Sequence, residues 1–169
     1  MRAKDGKTNW YALRVVPGQE VAAASLLGAR ALAPRAEFEY AKNGAHVSEV
    51  RPVLPGLVLL EATSPADARR TCRRADGLAD LRMAKSQIDE LSPKAAETFR
   101  ALCGQSGVAA FSEATMVGGL RVLSGALVGR EALIGRVSSR RKLAYVPVTL
   151  GSQPAELELG LRVSKGGAR

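Results

Sequence analysis

The sequence predicts an α+β fold, with an N-terminal α/β sandwich followed by a small antiparallel β-barrel. Within residues 9–104, helix-like and strand-like segments alternate, and two Ser-Pro pairs mark helix starts. Residues 121–163 contain four or five short runs in which apolar and polar residues alternate, as expected of half-buried strands. A Gly- and Ser-containing stretch between these regions is typical of a linker. The predicted domains are therefore residues 9–104 and 116–166, joined by residues 105–115.

The first five elements follow from apolar runs and the turn residues between them. The chain should begin with a strand and a helix, and continue with an extended segment, a turn and two more strands. The predicted ranges are Trp10–Val16 (strand), Gln19–Leu32 (helix), the extended segment from Phe38, the turn Lys42–Gly44, and the strands Val47–Arg51 and Leu57–Glu61.

Two further helices are predicted from their capping residues. Ser64 and Ser92 are suited to accept hydrogen bonds from the first free N–H groups of a helix, and a proline follows each of them. The first of these helices should run from Pro65 to about Ala75 and the second from Pro93 to Cys103. A short strand, Leu78–Met83, is predicted between them.

The predicted barrel is clearest in its last two strands. Leu143–Leu150 places Ala144, Val146 and Val148 on one face, with Tyr145 on the other. Residues 155–159 repeat the alternation with Leu157 and Leu159 against two glutamates, after a turn at residues 151–154.

The composition favours an anionic partner. The net charge is +9, and residues 106–169 contribute nine Lys or Arg against four Asp or Glu. No apolar run approaches the length of roughly 18 residues that a membrane helix needs, and the N-terminus lacks an apolar signal core. We therefore expect a cytoplasmic protein without a membrane partner.

No pattern of catalytic, cofactor or metal residues is found. The single histidine, His46, is interpreted as an exposed loop residue, and Cys72 and Cys103 have neither metal nor disulfide spacing. Phosphate-binding and dinucleotide-binding glycine motifs are absent. We expect a protein that is not an enzyme and that has no cofactor.

Two basic clusters are candidates for nucleic-acid binding. The predicted turn before Leu143 concentrates positive charge, and such charges repel one another unless an anion gathers them. The second cluster has helical spacing that puts four arginines on one face, which is either a solvated helix surface or a contact with DNA or RNA. The candidates are Arg136, Arg140, Arg141 and Lys142 at the turn, extended by Arg121 and Arg130, and Arg69, Arg70, Arg73 and Arg74 on the helix.

Three motifs in the correct order resemble the NusG family of transcription factors. TNWYALRVVPGQEVAAASLL resembles the opening strand and helix of its N-terminal (NGN) domain, and VRPVLPGLVLLEA resembles a later strand of that domain. Residues 121–163 resemble a KOW domain, a small SH3-like barrel. The resemblance covers about residues 9–165. REALIGRVSSRRKLAYV and ELELGLRVSKG are most similar to the LoaP branch of processive antiterminators.

The resemblance implies that an apolar surface of the N-terminal domain binds the clamp helices of RNA polymerase. Leu57 stands where the family signature has an aromatic residue, and Leu54 is the apolar residue before the proline. The residues implied in the contact are Trp10, Tyr11, Leu54, Pro55, Gly56 and Leu57.

The chain departs from the family pattern in two places of the KOW region. Ala132 replaces a typical glycine, and Arg130 stands near the position where general NusG proteins offer an aromatic residue to a ribosomal protein or Rho. This favours a monomeric antitermination factor whose N-terminal domain binds RNA polymerase and whose barrel binds leader RNA, or DNA. The alternatives are a general NusG-type factor that recruits ribosome or termination machinery by protein contacts, and a ribosome-associated KOW RNA-binding protein.

Overall fold

The computed structural model describes residues 7–75, 77, 88–104 and 106–165. Within them the chain forms three α-helices and twelve strands, which confirms the predicted mixture of helix and sheet. It divides into two compact units. The first draws its described residues from Met1–Ala33, Pro55–Ala96 and Thr149–Gln153, and the second from Pro34–Leu54, Glu97–Val148 and Pro154–Arg169.

The first unit contains a four-stranded sheet in the order β2-β5-β1-β6. All three of its strand pairings are antiparallel, and the central pair aligns Tyr11 with Leu60 and Leu13 with Val58. The helices of this unit are α1 (Glu20–Leu27) and α2 (Pro65–Arg74), and the strands are β1 (Asn9–Arg14), β2 (Ala31–Leu32), β5 (Leu57–Ala62) and β6 (Ile88–Glu90).

The core of the first unit lies between this sheet and its two helices. Alternate residues of β1 and β5 point to the helices and pack against small side chains there. The buried cluster contains Tyr11, Leu13, Val15, Val58, Leu60 and Ala62 from the sheet and Ala23, Leu27, Ala68 and Cys72 from the helices.

The second unit contains two sheets. One has the order β4-β3-β7 and the other the order β10-β11-β12-β8-β9, in which β12 and β8 are parallel. The strands of this unit are β3 (Arg35–Lys42), β4 (Ala45–Pro52), β7 (Val108–Ala109), β8 (Ser112–Thr115), β9 (Arg121–Ser124), β10 (Arg136–Ser138), β11 (Leu143–Leu150) and β12 (Gln153–Ser164).

The β3–β4 hairpin is attached to β12 within the second unit. The Glu158 N–H donates to the Val53 carbonyl at 2.8 Å, and the Phe111 N–H donates to the Glu37 carboxylate at 3.4 Å. Arg162 on β12 forms an ion pair with Glu39 on β3. The helix α3 (Pro93–Cys103) runs from the first set of ranges into the second.

Most predicted elements are confirmed, including both Ser-capped helices. The Ser64 hydroxyl accepts from the Asp67 N–H at 3.0 Å, and the Ser92 hydroxyl accepts from the Ala95 N–H at 3.1 Å. At the predicted hairpin turn, Asn43 and Gly44 both have positive φ, 52° and 76°. The predicted strand Leu78–Met83 lies outside the described residues.

The predicted helix Gln19–Leu32 is too long. It ends at Leu27 because Gly28 adopts a φ of 92°, and Ala31–Leu32 then pairs with β5 as a strand. An alanine- and leucine-rich stretch favours helix locally, but the edge of the sheet recruits its last residues.

The segment predicted as a linker contains strands β7 and β8. Arg35 pairs with Val108 and Ala36 with Ala109, while β8 lies between β12 and β9. Within the described residues no pairing joins β9 to β10, so the closure of these strands into a barrel stays a prediction. The division into residues 9–104, 105–115 and 116–166 also stays a prediction.

Candidate nucleic-acid interface

The basic turn, residues 139–142, connects β10 to β11. Ser138 pairs with Leu143, so the four residues between them form the loop. Arg140 and Arg141 are exposed, whereas Lys142 is half-buried with a φ of 55°. The Lys142 carbonyl accepts from the Leu161 N–H at 2.9 Å, which fixes the turn to β12. The turn therefore presents two arginine side chains from a rigid base.

Arg136 differs from the turn residues because its charge already has a partner. Its guanidinium donates two hydrogen bonds to Glu156, at 3.1 and 3.2 Å, and lies 3.6 Å from the centroid of the Tyr145 ring. The hydrogen bonds to Glu156 raise the pKa of Arg136 above its usual value. Arg136 thus braces β10 against its neighbours.

Arg121 and Arg130 lie near each other in sequence but have different surroundings. Arg121 is exposed at the start of β9, while Arg130 is half-buried and donates to the Ala126 carbonyl at 3.0 Å. Next to Arg121, the Val122 N–H donates to Glu131 at 2.9 Å and, with the charge of Arg121, lowers the pKa of that carboxylate. Of the two, Arg121 is the more exposed to solvent.

The departure from the KOW pattern at Ala132 causes no backbone difficulty. Ala132 lies in a 3₁₀ helix, Glu131–Leu133, whereas the left-handed conformation falls on Gly129, with a φ of 70°. The glycine that this turn needs is therefore present at Gly129, three residues before Ala132, where the KOW pattern has its glycine.

The four arginines of α2 are all exposed and follow the predicted single face. They are Arg69, Arg70, Arg73 and Arg74. Asp67, an acidic residue in the first turn of the same helix, is bound to Arg30 at 3.1 Å and to the Thr63 N–H at 3.0 Å. Among the described residues, none forms an ion pair with these four arginines.

A cleft of about 720 Å³ opens beside the basic turn within the second unit. Its lining combines aromatic, aliphatic, acidic and basic side chains from four strands and the turn. They are Phe38, Glu39, Tyr40 and Ala41 of β3, Glu49 and Arg51 of β4, Arg140, Arg141 and Lys142 of the turn, Leu143 of β11 and Glu158 of β12.

The titratable residues considered for other chemistry are engaged in structural roles. His46 lies in strand β4 and not in a loop as predicted, and its Nε2 is 2.9 Å from Glu39. Cys72 and Cys103 are both buried, and neither forms a disulfide within the described residues. Burial raises the pKa of the Cys103 thiol to about 11. In the part of the chain that the structure describes, no three His, Cys, Asp or Glu side chains gather closely enough to hold a metal ion.

A family model described as "Transcription termination factor nusG" matches residues 8–100, more than half of the chain. The chain belongs to the NusG family. NusG-family proteins are transcription elongation and termination factors that bind RNA polymerase and have no enzymatic activity. No curated protein matches the sequence. Of the helices that the structure describes, none has the length and apolar character needed to cross a membrane.

The residues that the NusG resemblance implies in polymerase binding lie at two separate places. Tyr11 pairs with Leu60, whereas Leu57 pairs with Arg14, three positions along β5 and roughly 10 Å away. Leu57 is 0% exposed and Tyr11 is 1% exposed. Both side chains pack inside the first unit, Gly56 is also buried, and Trp10 and Leu54 are half-buried.

Pro55 is the exposed member of the implied set, and Val16 is exposed beside it. The Val15 N–H donates to the Gly56 carbonyl at 2.8 Å, which joins the bend at Pro55 to the end of β1. Val16 is 39% exposed. The exposed apolar residues at this bend therefore include Val16, Pro17 and Pro55.

Sequence reasoning missed the cleft residues that come from the β3–β4 hairpin. Phe38 and Tyr40 share one face of a strand by their spacing, and this pattern is visible in the sequence. The sequence does not show that these two residues lie close to the basic turn, because about a hundred residues separate them from it.

Proposed function

We propose that this NusG-family chain is a transcription elongation and processive antitermination factor. It binds RNA polymerase through its N-terminal half and nucleic acid, leader RNA in particular, through its C-terminal half. It acts in the cytoplasm as a monomer and works by binding alone, because a ligand that prefers the elongating polymerase over the paused one shifts the population toward elongation.

The basic turn is the observation that carries the nucleic-acid half of the proposal. Within the described residues, Arg140, Arg141 and Lys142 form no ion pair, although Arg136 and Arg162 in the same unit each bind a glutamate. Adjacent cations without counter-charges are stabilised by a polyanion, which exchanges its bound counterions for them.

A salt titration of RNA binding by the full chain tests this half. The probes are a single-stranded 20-mer and a hairpin RNA of equal length. If both arginines reach phosphates on the single strand, Arg140→Ala with Arg141→Ala should weaken binding and flatten the slope of log K against log salt by about 1.4.

A matched control removes the same charge elsewhere. Lys7→Ala with Lys165→Ala changes two exposed lysines outside the turn and should leave the slope close to that of the parent. An unchanged slope in the double-arginine variant would mean that the turn is a solvated surface. The alternative function, a general NusG-type factor that recruits ribosome or termination machinery by protein contacts, would then be preferred.

The polymerase half is best tested at the exposed bend of the first unit. Val16→Asp places a charge at the apolar surface beside Pro55 and should weaken capture of core RNA polymerase by at least about tenfold. Leu123→Asp introduces the same charge at an exposed leucine of β9 and should bind as the parent does. Equal binding by both variants would place the contact elsewhere.

A further inference from the structure

The cleft beside the basic turn has a size and chemistry that suit a nucleotide. Its volume of about 720 Å³ lies within the range of small-ligand sites in proteins. The turn contributes basic side chains to the lining of the cleft, and the β3–β4 hairpin and β12 contribute aromatic and carboxylate groups. A ligand that fits must therefore combine an anionic group, a planar apolar face and hydrogen-bond donors.

Tyr40 provides the planar face. Of the three tyrosines, Tyr11 and Tyr145 are 1% and 5% exposed, whereas Tyr40 is 38% exposed and lines the cleft. Phe38, one pleat further along β3, is already covered by the Arg51 guanidinium at 4.1 Å from its centroid. The accessible ring in this cleft is thus Tyr40, and stacking on such rings is how proteins hold unpaired bases.

The carboxylates of the cleft argue for a ligand that carries donors as well as phosphates. Glu39 is engaged by His46 at 2.9 Å and by Arg162 at 3.7 Å. Glu49 and Glu158 form no ion pair with any described residue, and an ionised carboxylate can only accept hydrogen bonds. A simple polyanion would be repelled by these two groups, whereas the amino group of a base would be held by them.

We propose that the cleft receives one unpaired, amino-bearing base of a single-stranded nucleic acid. The base stacks on Tyr40 and donates its exocyclic amino group to Glu49 or Glu158, while the flanking phosphates lie on Arg140 and Arg141. This inference rests on the proposed nucleic-acid function and adds base selection to it. Cytosine is favoured over uracil because uracil presents a carbonyl oxygen where cytosine has its N4 amino donor.

Fluorescence anisotropy with the full chain tests the base selection. The probes are the ten-nucleotide homopolymers of cytidine and uridine, with deoxycytidine as a third arm that tells RNA from DNA. We expect about tenfold tighter binding of either cytosine oligomer than of the uridine oligomer. Glu49→Gln with Glu158→Gln should abolish this preference, because a side-chain amide can donate as well as accept.

Stacking is tested by substitution of Tyr40 in the same assay. Tyr40→Ala should weaken binding of every probe by about fivefold to a hundredfold. Tyr40→Phe keeps the ring and should bind as the parent does. Val50→Ala, at an exposed β4 residue that does not line the cleft, is the control for the hairpin.

The outcomes separate this inference from the proposed function. If Arg140→Ala with Arg141→Ala weakens binding but Tyr40→Ala does not, the turn binds phosphates and the cleft holds no base, which overturns the inference alone. Equal affinity for the cytidine and uridine oligomers would also overturn it. If none of these variants affects binding, both the inference and the nucleic-acid function fail.

Discussion

At the scale of single residues, Glu20 organises the Pro-Gly bend of the first unit. Its carboxylate accepts hydrogen bonds from the Gly18 N–H at 3.0 and 3.1 Å and from the Gly56 N–H at 2.8 Å, and the residue is buried. Gly56 itself has a φ of 78°, and a Cβ there would lie 2.6 Å from the Val15 carbonyl oxygen. The bend that the sequence predicted as a polymerase contact is therefore built around a buried carboxylate.

The charge of Glu20 should make the stability of the first unit pH-dependent. Burial raises the pKa of Glu20, but the backbone N–H donors of Gly56, Glu20 and Gly18 together outweigh it and leave the pKa below 4.5. A lowered folded-state pKa means that the stabilisation is present above about pH 4.5 and is lost as the pH falls through the folded value.

We expect Glu20→Ala to lower the free energy of unfolding by about 1–3 kcal/mol at pH 7, because the buried Gly56 N–H and the part-buried Gly18 N–H lose their acceptor. The loss should shrink as the pH falls below about 4.5 and through the lowered folded-state pKa of Glu20. Thermal or urea unfolding at several pH values measures both effects. Glu97→Ala, at an exposed position of α3, is the control, and a loss that stayed constant across pH would contradict the assignment.

At the scale of secondary-structure elements, β12 passes close to the β3–β4 hairpin at Gly160. A Cβ at this position would collide with the Glu37 carbonyl oxygen and with the Phe111 ring. Glu37 also accepts from the Phe111 N–H, so these three residues hold the hairpin against β12. This contact therefore fixes the hairpin, whose residues line the cleft, against β12.

Gly160→Ala should therefore destabilise the second unit by about 1–3 kcal/mol, since the backbone of β3 cannot yield as a flexible side chain would. We expect a lower unfolding temperature and weaker binding of RNA oligomers. Combining it with Phe111→Ala removes one of the two collisions, so the double variant should lose less stability than the sum of the single ones. Strict additivity would show that the ring does not take part.

At the scale of the whole molecule, the predicted linker contains structure that the second unit needs. Strand β8 lies between β12 and β9, and it pairs with β12 over Ser112–Thr115. The Ser112 hydroxyl also accepts from the buried Leu127 N–H at 3.1 Å. A C-terminal fragment therefore has to begin before β8 in order to keep its sheet.

We expect a fragment of residues 106–165 to unfold cooperatively on heating, whereas a fragment of residues 116–165 should show no transition. The shorter piece loses β8, which joins β9 to β12, so β9 is left without a partner and the sheet is reduced from five strands to three, the smallest number expected to be stable alone. Circular dichroism melts of the two fragments make the comparison. Cooperative unfolding of the shorter fragment would show that β8 is dispensable and would support the boundary predicted at residue 116.

Local sequence signals determined several features of this protein. The starts of α2 and α3 follow from Ser64 and Ser92, because a capping hydrogen bond spans only three residues. The Asn43-Gly44 turn and the alternation in the second half of β11, residues 146–150, are equally local, whereas residues 143–146 are all buried, including Tyr145. The resemblance to the NusG family rests on short motifs, which are also local. The positive charge of the turn at Arg140 and Arg141 can likewise be read directly from the sequence.

The tertiary structure decided what each of these features can do. Leu57 is hidden although it lies in the family signature, and α1 ends early because β5 pairs with the residues that follow it. Tyr40 lines the same cleft as the basic turn because β12 is bonded to the β3–β4 hairpin. Exposure and long-range pairing depend on the packing of distant segments, which short-range patterns do not encode.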